Sequence, residues 1–128
     1  MADELLGFFV SGSPVAKARA RVTARGTFTP EKTRAWETRV RWVARVEAVR
    51  RGWLADGTPC AGEIELRGLS ARSDIDNAAK AILDALNGVA WDDDRRVWSL
   101  SVRRDESLAS DGARVVVRRG VPSAAVGS

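Results

Sequence analysis

The sequence predicts an α/β (α+β) domain, with a single mixed β-sheet and two main helices packed on it. Three observations predict this class: short β-prone runs lie at both ends and in the middle of the chain, two stretches of helical periodicity separate them, and 128 residues suffice for one core but not for two. The predicted order is strand, hairpin, helix, strand, helix, strand, strand. We expect one domain over residues 1–120 and a disordered tail at residues 121–128.

A strand and a basic hairpin open the chain. The apolar run at residues 5–11 predicts the strand, and Pro14 ends it. Basic residues then alternate with apolar ones, which in an extended chain puts three cations on one face. Such a row can follow a phosphate backbone, or it can be the solvated edge of an exposed hairpin. The cations are Lys17, Arg19 and Arg21, with Arg25 at the turn.

The first long helix is predicted from Thr29-Pro30-Glu31 to Arg51. A capping hydroxyl, a proline and an acid form a favourable helix start, and Gly52 ends the helix. On a helical wheel the larger apolar side chains fall on one broad arc opposite a charged face. These side chains are Trp36, Val40, Trp42, Val43, Val46 and Val49. The pattern favours core positions for the tryptophans over a role as stacking platforms for nucleobases.

The remaining elements follow from the same kinds of pattern. Residues 63–69 alternate like a strand, and residues 74–87 show helical periodicity. Residues 95–104 and 113–119 predict two further strands across a Ser-Asp-Gly turn, so we expect them to form a hairpin. The first of these two strands carries three apolar side chains on one face, namely Trp98, Leu100 and Val102.

Composition limits the function classes. Lys and Arg number 21 against 17 Asp and Glu, which gives a net charge of +4 and makes a polyanion a natural partner. Charge alone does not separate nucleic acid from a membrane surface or from simple solubility. The single cysteine, Cys60, cannot form an internal disulfide, and no apolar run approaches the ~18 residues of a membrane span. We therefore expect a cytoplasmic protein without membrane association.

An acidic segment stands out in this basic chain. From Ser73 to Asp94 it holds six aspartates, one lysine and no histidine. On a helical wheel its apolar stripe docks on the sheet, and a polar face lies beside that stripe. The polar face contains Asp76, Asn77, Lys80 and Asp84. A capping box from Ser73 to Asp76, with Asp74 complementing the helix dipole, explains two of these acids without any function.

Helix capping does not explain the consecutive acids Asp92, Asp93 and Asp94. They repel one another and precede a strand, whose start gains nothing from acidic residues. If that strand lies beside the start of the second helix, Asp93 or Asp94 approaches Asp74 and Asp76. Carboxylates packed together either raise one another's pKa or bind a metal, and oxygen ligands select Mg²⁺ or Mn²⁺. A divalent-metal site is favoured, with a solvated acidic turn as the alternative.

A metal held by carboxylates near a lysine, in a basic protein, fits phosphodiester hydrolysis. The metal would polarise the phosphate and help to deprotonate an attacking water, and Lys80 would stabilise charge on the phosphate or on the leaving oxygen. The absence of histidine excludes nucleases with a histidine base and zinc mechanisms with histidine ligands.

Three motifs and their spacing resemble the RusA family of Holliday-junction resolvases. The family pattern D-x-D-N-x-x-K, D-A-L-N-G and D-D-x-x-V corresponds to residues 74–80, 84–88 and 93–97. A weaker likeness covers Gly12-Ser13-Pro14, the spaced basic residues after it, and Phe28-Thr29-Pro30. The resemblance implies a homodimeric, Mg²⁺-dependent endonuclease, acting in recombination and repair, that nicks two strands symmetrically at a four-way DNA junction.

The resemblance also implies roles for individual residues. Asp74, Asp76 and Asp94 correspond to metal-binding catalytic carboxylates, and Lys80 corresponds to the catalytic lysine. Asp93 is a further candidate ligand, because the run of three acids leaves the register ambiguous by one. Supporting roles fall to Asn77 and Asp84, and predicted DNA contacts are Lys17, Arg19, Arg21, Arg25 and Arg72.

Other classes of protein stay open. One is a non-catalytic or less selective nucleic-acid-binding or phage accessory protein with the same fold, and another is an acidic protein-interaction module. The set of Asp74, Asp76, Lys80 and Asp94 discriminates against a pure binder, which has no reason to hold these residues together. An interaction module predicts that Mg²⁺ has no effect.

Overall fold

The computed structural model describes residues 5–17, 21–23, 26–28 and 30–120. Its strands are β1 (Leu5–Ser11), β2 (Arg21–Thr23), β3 (Gly26–Phe28), β4 (Cys60–Arg67), β5 (Val97–Arg104) and β6 (Gly112–Arg119). Its helices are α1 (Glu31–Arg51) and α2 (Ile75–Leu86), and a 3-10 turn at Asp94–Arg96 leads into β5. This order and the α+β class confirm the sequence prediction. The predicted tail at residues 121–128 lies outside the described residues.

Four strands form one mixed sheet in the order β1-β6-β4-β5. Strand β6 pairs antiparallel with β1 and β4, whereas β4 and β5 run parallel. The predicted hairpin between β5 and β6 is therefore wrong, because β4 lies between them. Burial explains this order: β4 and β6 carry most of the buried strand residues and occupy the centre, while the largely exposed β5 suits an edge. The predicted basic hairpin is present as the separate pair β2-β3.

The parallel pairing of β4 and β5 makes β4-α2-β5 a crossover unit. A chain that returns parallel to its first strand needs a connection over one face of the sheet, and here that connection contains α2. Helix α2 buries Ala78, Ala79, Ala81, Ile82, Ala85 and Leu86, close to the predicted stripe. Ile75, also placed in that stripe by the wheel, is 38% exposed.

Helix α1 presents a different face to the core from the one predicted. Trp36 and Val40 are buried as expected, but Trp42 and Val49 are 67% and 77% exposed. The buried face consists of Thr33, Trp36, Val40, Ala44 and Ala48. Alanines on this face let α1 approach its neighbours closely. The helix therefore buries the face that carries small residues, and the larger apolar side chains of the predicted arc are partly left exposed. The helix ends as predicted, with Gly52 in the left-handed conformation at φ 68°.

A buried tryptophan fixes the turn after α2. The Trp91 indole N–H donates to Asn87 Oδ1 at 2.9 Å, and the Gly88 N–H donates to the Trp91 carbonyl at 2.7 Å. Trp91 is 1% exposed, so the turn is anchored in the core. This anchoring directs the acidic run at residues 92–94 back towards α2. Within the described residues, no helix has the length and apolar character needed to cross a bilayer.

Candidate active site

A cleft of about 530 Å³ lies between α2 and the start of β5. Two charged residues of α2, Asp76 and Lys80, are four positions apart and therefore on the same side of the helix. Asp94 reaches the cleft from the 3-10 turn. The other lining residues are apolar: Ile75, Ala79, Leu83, Val97, Leu100 and Val102. The cleft thus brings together three of the predicted site residues, from two separate segments of the chain.

The three consecutive aspartates have different environments. Asp92 accepts two hydrogen bonds from the Arg96 guanidinium, at 2.9 and 3.0 Å. Asp93 caps the 3-10 turn, since its Oδ1 accepts from the Arg95 backbone N–H at 3.0 Å. Only Asp94 of the three lines the cleft.

The surroundings of Asp94 disfavour its charged form. Its burial raises the pKa of the carboxyl, and the neighbouring charges of Asp93 and Asp84 raise that pKa further. Lys80 opposes this shift but does not cancel it. Negative charge is therefore concentrated here beyond what one lysine neutralises, which is the condition that a divalent cation relieves.

Asp74 and Asn77 lie at the N-terminal end of α2. Asp74 is the N-cap residue in an extended conformation, and no side chain caps the helix there, so the predicted capping box from Ser73 is wrong. Asn77 Nδ2 lies 3.5 Å from Asp74 Oδ2, at the limit of a hydrogen bond. Asp74 is exposed and is not among the residues that line the cleft.

Asp84 connects the cleft to the rest of the molecule. Its negative charge contributes to the raised pKa of Asp94, and its Oδ2 lies 3.1 Å from Lys17 Nζ. The same ammonium lies 2.8 Å from Glu37 Oε2 on α1. Lys17, predicted to contact DNA, is thus engaged with two carboxylates.

The other predicted basic contacts are distributed as follows. Arg72 is exposed in the loop that precedes α2, where its backbone N–H donates to Ser70 Oγ at 3.2 Å. Arg19, Arg25 and the side chain of Arg21 lie outside the described residues.

Sequence reasoning missed two residues that support the site. The Arg104 guanidinium donates to the carbonyls of Leu69, Ser70 and Ser73 at 2.9, 3.0 and 2.8 Å, and so holds the loop that leads to Asp74. Glu37 on α1 pairs with Lys17, which also pairs with Asp84 on α2. No local pattern marks either residue, because each acts on a segment distant in sequence.

The chemistry of the donor set fits a hard divalent cation. Asp76 and Asp94 offer only carboxylate oxygens, which Mg²⁺ and Mn²⁺ prefer, and no histidine or cysteine lines the cleft. Over the ranges that the structure describes, no three acids, cysteines or histidines stand close enough together to enclose an ion on their own. The site fits a cation held by few carboxylates and completed by water or substrate oxygens, as is usual for Mg²⁺.

Carboxylates beside a lysine, in a cleft of a basic α+β protein, are typical of metal-dependent phosphodiester hydrolases. Residues 11–118 match the family model described as endodeoxyribonuclease RusA, and the chain belongs to this family. The family comprises endonucleases that resolve Holliday junctions and generally depend on a divalent metal. This match confirms the family resemblance noted from the motifs.

Other comparisons add little. No curated protein matches the chain significantly. One solved structure with some likeness is a 2C-methyl-D-erythritol-2,4-cyclodiphosphate synthase in a CDP-bound form, at 20% identity and a TM-score of 0.33. The match covers 66% of this chain and spans about half, 51%, of that one. A likeness this weak supports no statement about fold or function.

Proposed function

We propose that the chain is a Mg²⁺-dependent, structure-selective DNA endonuclease that resolves four-way junctions by paired symmetric nicks. The observation that carries the proposal is the meeting of Asp76, Lys80 and Asp94 on one cleft in a member of this family. Carboxylates at a DNA-binding surface repel phosphate, so a protein that only bound DNA would gain nothing from them. They become useful when they hold a cation that acts on the phosphate.

Each residue of the chain has a distinct task in this proposal. Asp76 and Asp94 hold the cation, with Asp74 and Asp93 as further candidate ligands. Bound there, Mg²⁺ would polarise the scissile phosphate and lower the pKa of an attacking water. The Lys80 ammonium stabilises negative charge on the phosphate or on the leaving oxygen.

Supporting residues keep this arrangement in place. Asn77 orients Asp74 through the contact at 3.5 Å, and Asp84 orients Asp94 from the next turn of α2. Asp76 and Lys80 themselves are exposed, so a phosphate can reach them from solvent.

The substrate and the assembly form a second part of the proposal. Arg72, together with Arg19, Arg21 and Arg25, contacts phosphates and orients the DNA without reading its sequence. A homodimer presents two equivalent sites to the two related strands of a two-fold symmetric junction. Paired nicks follow from this symmetry.

Cleavage of a synthetic four-way junction and of linear duplex, each with Mg²⁺ or EDTA, tests the proposal. We expect wild-type protein to nick the junction only with Mg²⁺, and Asp76→Asn to lose nicking while it still binds the junction. The matched control is Glu63→Gln, because Glu63 is an exposed acid on β4 that does not line the cleft. This control should cleave like wild type.

Two outcomes would contradict the proposal, and they differ in what they reject. Unchanged cleavage by Asp76→Asn would reject the assigned site. Equal cleavage of junction and linear duplex would reject structure selectivity but leave a metal-dependent nuclease. No cleavage of any DNA with Mg²⁺ would favour a non-catalytic binder.

A further inference from the structure

Lys17 forms a charged link between three parts of the fold. Its ammonium lies 2.8 Å from Glu37 Oε2 on α1 and 3.1 Å from Asp84 Oδ2 on α2. The three side chains are 24%, 20% and 29% exposed, so the link is largely shielded from solvent. Shielding strengthens such pairs relative to exposed ones, which contribute little.

The backbone fixes the position of Lys17. Its N–H donates to the Asn77 carbonyl of α2 at 2.8 Å. Pro14 is buried, and Val15 and Ala16 pack against the core. The segment that carries Lys17 is therefore attached to the first turn of α2, and the ammonium has a defined place beside the cleft.

The ammonium remains charged in this environment. Burial alone would lower the pKa of Lys17, but its hydrogen bonds to Glu37 and Asp84 outweigh burial and hold that pKa above its ordinary value. The two carboxylates engage two of the three N–H donors of this ammonium, and their negative charges oppose the approach of a phosphate. Lys17 is thus poorly suited to the DNA contact that the alternating basic row predicted.

Asp84 transmits the link to the cleft. Lys17 binds one of its oxygens, Oδ2, and α2, which carries Asp84, contacts the 3-10 turn that begins at Asp94. The negative charge of Asp84 acts on Asp94 and raises the pKa of its carboxyl. Without Lys17, Asp84 and Asp94 would face each other with only Lys80 to compensate them, and like charges at this range repel. The positive charge of the Lys17 ammonium offsets this repulsion, and its ion pair with Asp84 restricts the rotamer of that side chain.

We propose that Lys17 is a positioning residue of the active site, which fixes the carboxylate of Asp84 and through it that of Asp94. The inference rests on the proposed metal-dependent nuclease function. It assigns Lys17 to the active site, whereas the sequence predicted a DNA contact for this residue. Glu37 is the anchor on α1 that keeps Lys17 in place. Lys17 itself contacts neither cation nor DNA.

The test compares Lys17→Met and Lys17→Arg with wild type in two direct measurements: Mn²⁺ binding by electron paramagnetic resonance, and single-turnover cleavage of a junction. We expect Lys17→Met to weaken Mn²⁺ binding and to slow cleavage, each by about 10–100-fold, the range for residues that orient metal ligands. Lys17→Arg should recover most of both, because a guanidinium can donate to two carboxylates at once. Junction affinity in EDTA should change by less than about threefold, with an unchanged salt dependence.

The matched control is Lys32→Met. Lys32 is an exposed lysine on α1, so this variant loses the same charge without touching the link. It should bind Mn²⁺ and cleave like wild type. A double-mutant cycle adds a second check: if Lys17 acts through Asp84, Lys17→Met costs less than about twofold when introduced into Asp84→Asn. Lys17→Gln replaces Lys17→Met if the latter does not fold, as judged by thermal melting.

If Lys17 contacts a phosphate instead, Lys17→Met gives a different result. Its Mn²⁺ affinity is then unchanged, its junction affinity is reduced, and the slope of log affinity against log salt is smaller by about one. That result, or wild-type behaviour of Lys17→Met in both measurements, overturns the positioning role while the nuclease function stands. If wild type binds Mn²⁺ but cleaves no DNA, the proposed function fails and the Mn²⁺ titrations still decide the role of Lys17. If wild type binds no Mn²⁺, both fail.

Discussion

Asp92, Asp93 and Asp94 show how neighbouring residues of one type acquire different tasks. The 3-10 turn that begins at Asp94 rotates the three side chains apart, so that one pairs with Arg96, one caps the turn and one lines the cleft. In the sequence, the run of three acids leaves the assignment at 93 and 94 ambiguous by one, and counting back from Val97 favours Asp94. Their environments differ, because Asp93 Oδ1 accepts from the Arg95 N–H while Asp94 lines the cleft.

A pair of single-charge variants tests this division of tasks. We expect Asp94→Asn to slow junction cleavage by at least about 100-fold, more than the loss of a residue that merely orients a ligand. Asp92→Asn removes the same charge two positions away and should cleave within about threefold of wild type, because only an exposed ion pair with Arg96 is lost and such pairs contribute little. Single-turnover rates at saturating Mg²⁺ measure both. Comparable losses in the two variants would mean that the acidic run acts as a unit.

At the scale of elements, the strand pair β1-β6 depends on a close backbone approach. Gly112 begins β6 opposite Ser11, the last residue of β1. A Cβ at this position would lie 2.5 Å from the Phe9 ring and closer still to the Val10 carbonyl oxygen. The end of β1 therefore pairs with β6 only because residue 112 has no side chain. The segment that carries Lys17 starts from this end of β1.

Gly112→Ala should accordingly lower the free energy of unfolding by about 1–3 kcal/mol, the usual cost of forcing atoms into a packed site. Gly7→Ala is the matched control within the same strand pair, since its Cβ would meet no atom closer than 3.4 Å. We expect this control to change stability by less than about 1 kcal/mol, in the stabilising direction if at all. Urea denaturation of both variants measures the difference. Equal unfolding midpoints would show that β1 can shift to accept the methyl group.

The elements also show what could be predicted from sequence. The position of α2, the strand at β4 and the shared polar face of Asp76 and Lys80 follow from local periodicity. The approach of Asp94 to that face follows only if the strand after it lies beside α2, or from the family resemblance. The buried face of α1 could not be predicted, because a wheel weights Trp42 by its size whereas packing selected Ala44 and Ala48. The order of strands, like the link from Lys17 to Glu37, depends on contacts between segments that no local pattern connects.

Over the whole molecule, the local charge of the cleft is opposite in sign to the net charge of the chain. The chain carries a net charge of +4, yet the cleft holds Asp76 and Asp94 against a single lysine, with Asp84 just behind them. Overall positive charge attracts DNA from a distance, and the cleft repels it at contact until a cation is present. Proposed phosphate contacts around the cleft, Arg72 among them, must supply the binding that the cleft itself opposes. Binding and catalysis thus place opposite electrostatic demands on neighbouring surfaces.

This opposition predicts that Asp76→Asn binds the junction more tightly than wild type in EDTA. Removing one negative charge about 4 Å from a phosphate relieves roughly 1 kcal/mol of repulsion in water, or about a fivefold gain in affinity before screening by salt. With Mg²⁺ the gain should shrink, since wild type is then neutralised by the cation. Glu47→Gln is the control, because it changes the net charge equally but removes that charge from α1 and not from the cleft. Its affinity should match wild type in both buffers, because Glu47 does not line the cleft and its charge is already paired with Arg50 and Arg51. Fluorescence anisotropy of a labelled junction measures all three proteins, and weaker binding by Asp76→Asn in EDTA would mean that this carboxylate helps to position the DNA instead of repelling it.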